Sequence, residues 1–191
     1  MLEGLLVDLV PYGDRFWEHV HDWHNGEGVY FWATGGRWIV THREVEEMRK
    51  ERLEEVEQGD LRMAFGVQTK EGTPIGMFAF NRVHPHHRVL MLSAIIGDPA
   101  YWGGGYGTDA LTLLVDFGFN WLDAHKLWLM TMSLNERVQR QMVKVGFTLE
   151  GRQREAVWAS NDWADLLAYG LLRDEWPGRE AVIARIGLEA R

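Results

Sequence analysis

The chain contains no cysteine. That excludes a disulfide scaffold, a Cys-ligated zinc site and a cysteine nucleophile, and is compatible with a reducing compartment. Basic residues are scarce beside acidic ones, 20 Lys and Arg against 28 Asp and Glu, for a formal net charge of -8. A nucleic-acid backbone is repelled by that balance, so no nucleic-acid partner is expected. The same charge suits a cationic substrate such as an amine, or simple solubility, and both stay open. A basic leader and a long apolar run are lacking too. The opening MLEGLLVDLVPYGD carries acids inside its short apolar stretch, unlike a signal peptide or a membrane span. A cytoplasmic protein with no membrane partner is expected. Repeats, low-complexity segments and linkers are absent, so 191 residues with 46% apolar content read as one globular domain, 1–191.

Glycine, by contrast, is concentrated between two apolar stretches in mid-chain. Val89 to Ile96 is an apolar run rich in β-formers, and Leu111, Leu114, Val115, Gly118 and Leu122 recur at helical spacing. Between them stand Gly103, Gly104, Gly105 and Gly107, which lack a Cβ and admit both positive φ and a bulky anion. A helix beginning near Thr108 aims its unpaired N–H groups and positive dipole end at that loop. Strand, glycine loop and helix together read as a phosphate cradle. A Walker A loop needs Lys followed by Ser or Thr, and no Lys is present here. A dinucleotide fingerprint starting at Gly103 requires Gly or Ala where Thr108 stands. What remains is Gly-x-Gly from Gly105 to Gly107, closely preceded by Trp102.

Along the chain, Leu5 to Val10 reads as a first strand, with a turn at Pro11 to Asp14 and Asp14 as N-cap of a helix from Arg15 to Trp23. The following stretch, HNGEGVYFWATGGRW, gathers Tyr30, Phe31, Trp32 and Trp38 among turn residues, as a small satellite core or as a substrate wall. Thr41 and Glu44 form a capping box for a charged helix reaching about Gly59. Met63 to Gln68 and Pro74 to Val83 predict a hairpin, with a further strand from Val89. His84, His86 and His87 have no carboxylate or Cys at ligand spacing, so an exposed turn and no metal are expected. Lys126 to Met132 reads as a strand, Asn135 to Val145 as a helix stopped by Gly146, and the tail from Pro177 as one added short helix.

The stretch Tyr101-Trp102-Gly103-x-Gly105-Tyr106-Gly107-Thr108 resembles motif A of the GNAT superfamily of N-acetyltransferases. It is closest to the Rim-type (ribosomal-protein N-terminal) and polyamine acetyltransferase branch. NERVQRQMVKVGFTLEG supports the resemblance through Asn135, Lys144, Gly146, Phe147, Glu150 and Gly151, and Asp165 with Tyr169 repeats a later family pattern. These motifs span about 63–176. The resemblance implies an α/β (α+β) GNAT fold: a central mixed, mostly antiparallel twisted sheet, splayed parallel central strands and flanking helices. It further implies an acetyl-coenzyme A-dependent N-acetyltransferase that passes acetyl directly to a primary amine, either a small molecule such as a polyamine or a protein N-terminus. A homodimer is compatible with it, since many relatives are dimers. Mapped residue by residue, the pantetheine arm of coenzyme A (CoA) pairs with the backbone of Ala94, Ile95, Ile96 and Gly97. The pyrophosphate lies on Trp102, Gly103, Gly104, Gly105, Tyr106, Gly107 and Thr108, and Asn135 binds the pantetheine side. Tyr30, Phe31, Trp32 and Trp38 fall beside the acceptor site.

The catalytic groups do not carry over. Where relatives often have Glu on the strand, and Ser or Tyr after the Asn, this chain has Leu92, Val138 and Met142. Ser93 on the strand, with Asp98 and His84 in loops, is left to relay a proton. A non-catalytic CoA-binding or sensing module with the same fold is the alternative.

Overall fold

Apolar alternation and β-branched or aromatic residues build the strands, and one crossover helix decides where two of them lie parallel. The computed structural model describes residues 1–26, 36, 39–57, 63–84 and 86–190. The strands are β1 (Leu2–Glu3), β2 (Val7–Pro11), β3 (Met63–Thr69), β4 (Pro74–His84), β5 (Val89–Ile96), β6 (Lys126–Met132), β7 (Thr148–Ala159) and β8 (Asp162–Leu172). They form one eight-stranded sheet in the order β1-β2-β3-β4-β5-β6-β8-β7. Every neighbouring pair is antiparallel except β5 and β6. Those two are joined through helix α3 (Tyr106–Asn120), the crossover a parallel pair requires. The mixed, mostly antiparallel sheet with a central parallel pair is therefore present.

Helices cover both faces. On one lie α1 (Asp14–Asn25) and α2 (His42–Glu57). The Phe16 ring of α1 rests on Gly66, and its Trp23 on Gly97, where a Cβ would overlap the rings. Val20 of α1 clusters with Val40 and with Val45 of α2. The capping box forms as expected: Thr41 N–H donates to Glu44 Oε2 at 2.6 Å, and Glu44 N–H to Thr41 Oγ1 at 3.2 Å. Asp14, however, is not the N-cap of α1. Gly13 takes that place without a side-chain bond, and Asp14 is free to pair with Arg49 of α2 at 2.5 Å.

The opposite face carries α3, α4 (Glu136–Val145) and α5 (Arg179–Ile186). Phe80 meets Gly118 of α3 there, three residues along β4 from Met77, the partner of Gly66. Leu111, Leu114 and Val115 of α3 are fully buried and Phe119 nearly so. Each contributes about 1.5–3 kcal/mol by leaving water. The β7–β8 hairpin, turning on Ser160 and Asn161 at positive φ, and the short β1 were not predicted.

At the start of α3 one buried carboxylate ties three distant segments together. Asp109, with no exposed surface, accepts from the Leu6 and Val7 N–H groups at 2.7 and 3.2 Å. Its other oxygen pairs with Arg179 of α5 at 2.6 Å. A carboxylate this deep is tolerable only because these donors replace its water. Replacing Arg179 by Met should therefore cost about 3 kcal/mol in a urea unfolding titration, since it strands part of a buried charge. A change below about 0.5 kcal/mol would mean that the two backbone donors suffice.

Candidate functional site

Parallel β5 and β6 stay hydrogen-bonded only from Val89 to Met91 and from Lys126 to Trp128. Beyond those three positions the strands part. A cavity of about 660 Å³ opens in the gap, lined by Leu92, Ser93, Ala94, Ile95 and Ile96 on one side and Leu129, Met130 and Thr131 on the other. β5 remains fully paired with β4 on its far edge, so its near edge presents backbone N–H and C=O groups to the cavity. The Ile96 carbonyl is already engaged, accepting from Trp102 Nε1 at 2.8 Å. Gly97 lies outside the lining, with its N–H donated to Ile75 O at 2.7 Å.

The glycine loop closes the next part of the cavity. Asp98 Oδ1 accepts from the Ala100 N–H at 2.9 Å and caps the turn Pro99–Tyr101, which feeds the loop. Gly103 and Gly105 have φ near +92 and +93, a conformation that a side chain disfavours. Asp109 N–H closes the first bond of α3 on Gly105 O at 2.9 Å, so the three preceding N–H groups have no intrahelical acceptor. Trp102, Gly103, Gly105, Gly107 and Thr108 line the cavity, whereas Gly104 and Tyr106 do not. Tyr106 packs edge-on against Tyr101 at 5.1 Å.

Helix α4 forms the facing wall. Its N-cap Asn135, 5% exposed, accepts from the Val138 N–H at 3.3 Å and also lines the cavity. Arg137, Arg140, Gln141 and Lys144 follow on the cavity side. The Arg137 guanidinium stacks 4.1 Å from the Trp102 ring centroid. Burial holds it below its ordinary pKa, and it stays cationic. The loop has no Lys or Arg of its own, and these α4 cations stand across from it. Sequence reading missed Arg137, Arg140 and Gln141, although their spacing of three and four residues is the one-face signature of a helix. It also missed Asn81, the extra residue of a β-bulge between the Phe80–Leu92 and Arg82–Met91 pairs, which lines the cavity where the strands part.

Strands that part beside a glycine-capped helix, with cations opposite, bring a helix N-terminus and an exposed strand edge into one cavity. The family description for an acetyltransferase (GNAT) domain matches residues 8–148. This chain belongs to the GNAT acetyltransferase family. The spermidine N(1)-acetyltransferase of Escherichia coli (strain K12) is 33% identical over 81 residues, 42% of this chain and 43% of that one. YdaF of Bacillus subtilis, named among the ribosomal N-acetyltransferases, is 27% identical over 116 residues, 58% of this chain and 60% of that one. The chain thus spans about half the length of the curated relatives it matches. A spermidine N-acetyltransferase of Vibrio cholerae, solved in complex with CoA and spermine, shares the fold at TM-score 0.78 with 18% identity, over 88% of this chain and 96% of that one.

Within this GNAT domain the candidate proton carriers separate. Ser93 lines the cavity, Asp98 is spent as a turn cap outside it, and His84 ends β4. Leu92, Val138 and Met142 line it as apolar residues. Tyr30, Phe31, Trp32 and Trp38 lie outside the described residues. Among the described residues no cluster of three His, Asp or Glu is placed to hold a metal, and His86 and His87 are exposed in the turn after β4. Tyr169 is buried in the core. Asp165 serves the sheet: it accepts from the Glu155 N–H at 2.8 Å and pairs with Arg152, pinning the irregular stretch of β7 between Gln153 and Val157.

Those bonds, the Glu155 N–H first, hold the Asp165 pKa below its ordinary value. A lowered folded-state pKa adds stability above the unfolded carboxylate value, about 3.9, and loses it as pH falls through the folded value. Asp165→Asn should accordingly lower the urea midpoint at neutral pH and converge on the parent in acid. An equal deficit at every pH would show that the charge plays no part.

Proposed function

We propose that this protein is an acetyl-CoA-dependent N-acetyltransferase that passes an acetyl group directly to a primary amine. The observation that carries the proposal is one continuous cavity joining an unpaired strand edge, a glycine-capped helix N-terminus and a cationic helix face. These match the three parts of the ligand. The free edge of β5 suits the amides of the pantetheine arm, and the first N–H groups of α3 suit the pyrophosphate. Arg137, Arg140 and Lys144 supply the positive charge. When bound, acetyl-CoA supplies the activated thioester.

The chain's own residues then position and exclude. Leu92, Leu129 and Met130 keep the inner end of the gap apolar, which strengthens every polar contact made there. Ser93 lies on the α1 face of the sheet, since it pairs with Ala79, two residues from Met77. It is the hydroxyl placed to relay a proton from an amine arriving on that side. With apolar residues at 92, 138 and 142, most of the acceleration comes from holding two reactants in line. Exposed Glu18 and Asp22 of α1, together with acidic α2, offer a cationic acceptor such as a polyamine a favourable field on that face. The same apolar positions favour the second reading, a CoA-binding module without turnover.

Thiol release measured with spermidine, spermine and a peptide bearing a free N-terminus separates the two. The enzyme reading predicts turnover with at least one of them; CoA binding without release from any of them would favour the sensing module. Gly107→Glu places a carboxylate in the phosphate cradle without requiring positive φ, its Cβ meeting Gln141 and Ile96 at 3.4 Å. Affinity for CoA should fall at least about 100-fold, near 2.7 kcal/mol. An unchanged affinity would show the phosphate placement to be wrong.

A further inference from the structure

Part of the cavity wall is built by a segment that lies beyond residues 8–148, the stretch matched to the family. Ile186, the last residue of α5, and Leu188 just after it both line the cavity, half-buried. Leu188 sits directly against the glycine loop: a Cβ on Gly105 would lie 2.7 Å from its Cδ1. The helix ends there because Gly187 turns left-handed at φ 65, and the Leu188 N–H bonds to Ile183 O at 3.2 Å.

Two anchors fix this segment to the walls of the site. At its start Arg179 pairs with Asp109 in the first turn of α3, at 2.6 Å. Near its end Arg185 donates to the Lys144 and Val145 carbonyls of α4, at 3.1 and 3.3 Å. α5 thereby braces the N-terminus of one wall helix against the C-terminus of the other. Its aliphatic residues line the cavity where the glycine loop passes into α3.

On the acetyl-CoA reading above, the pantetheine arm follows β5 and the pyrophosphate lies on the loop, so the wall that Ile186 and Leu188 add beside the loop is open to the adenosine. We propose that Ile186 and Leu188 form an apolar shelf for the adenine ring of CoA. A flat base laid on two aliphatic side chains leaves water on one face, while Arg140 and Lys144 of α4 keep cationic charge in the same cavity for the nucleotide's phosphates. The shelf accordingly confers preference for the nucleotide portion of CoA over its pantetheine portion.

The test is calorimetric titration of the full chain and of Leu188→Ser with acetyl-CoA and with 4′-phosphopantetheine, which retains the arm and one phosphate but lacks adenosine. The shelf predicts that the variant binds acetyl-CoA about tenfold more weakly and phosphopantetheine within about twofold of the parent. Equal weakening of both ligands would overturn the shelf and leave Leu188 as a prop for the loop. No change in either would overturn it as well. A parent that binds neither ligand would fail the acetyl-CoA reading itself, and the shelf with it. Should Leu188→Ser not fold, the unaltered protein with protonated Ile and Leu methyls in a deuterated background gives the same decision: intermolecular NOEs join the Ile186 and Leu188 methyls to the adenine H2 and H8 protons if the shelf exists, and are absent otherwise.

Discussion

Two parallel strands that pair for only three residues and then part are the constraint on which everything else in this molecule rests. A strand edge left without partners costs about 1–3 kcal/mol for each buried, unmet polar group, so a fold keeps one only where solvent or a ligand can reach it. β5 meets that condition because its free edge opens into the cavity that the first residues of α3 also line. The position of α3 is in turn fixed by Asp109, whose partners come from the β1–β2 turn and from α5. The N-terminal strands and the C-terminal helix therefore do not decorate the site. They hold its central helix at the right depth.

Charge is distributed against the average. A protein with a formal net charge of -8 presents Arg137, Arg140 and Lys144 along one cavity wall and acidic helices on the opposite face of the sheet. The glycine loop carries no cation of its own. Its contribution is backbone geometry, and the compensating charge arrives from α4 across the gap. An anionic cosubstrate on one face and a cationic acceptor on the other would each meet a field of the opposite sign, and the strand gap is where the two faces communicate.

How much of this was legible in the sequence depends on how local each feature is. The loop could be read because Gly103, Gly105 and the helix after them are consecutive, and their chemistry is that of the backbone. The hairpin of β3 and β4 followed from strand and turn signals a few residues apart, whereas the parallel pairing across the crossover came from the family resemblance. Arg137, Arg140 and Gln141 were missed because a charged face on a helix looks the same whether it borders water or a cavity. Asp109 resembles any acid in a first helical turn, and only the distant Leu6, Val7 and Arg179 make it a hub. Leu188 meets Gly105 through a contact that no local pattern encodes. Asp165 was legible only as part of the family pattern, and its bonds to Glu155 and Arg152, which close a bulge in the sheet, are not local in sequence. The aromatic stretch holding Trp32 and Trp38 lies outside the described residues.

The most direct measurement is calorimetric titration of the folded protein with acetyl-CoA, with NAD and ATP as controls. A cavity formed by a strand edge, a glycine loop and a cationic helix predicts saturable one-to-one binding of acetyl-CoA, with neither control competing. Absence of binding by the folded protein, or equal binding of all three ligands, would contradict it and leave the glycine loop as a turn without a ligand.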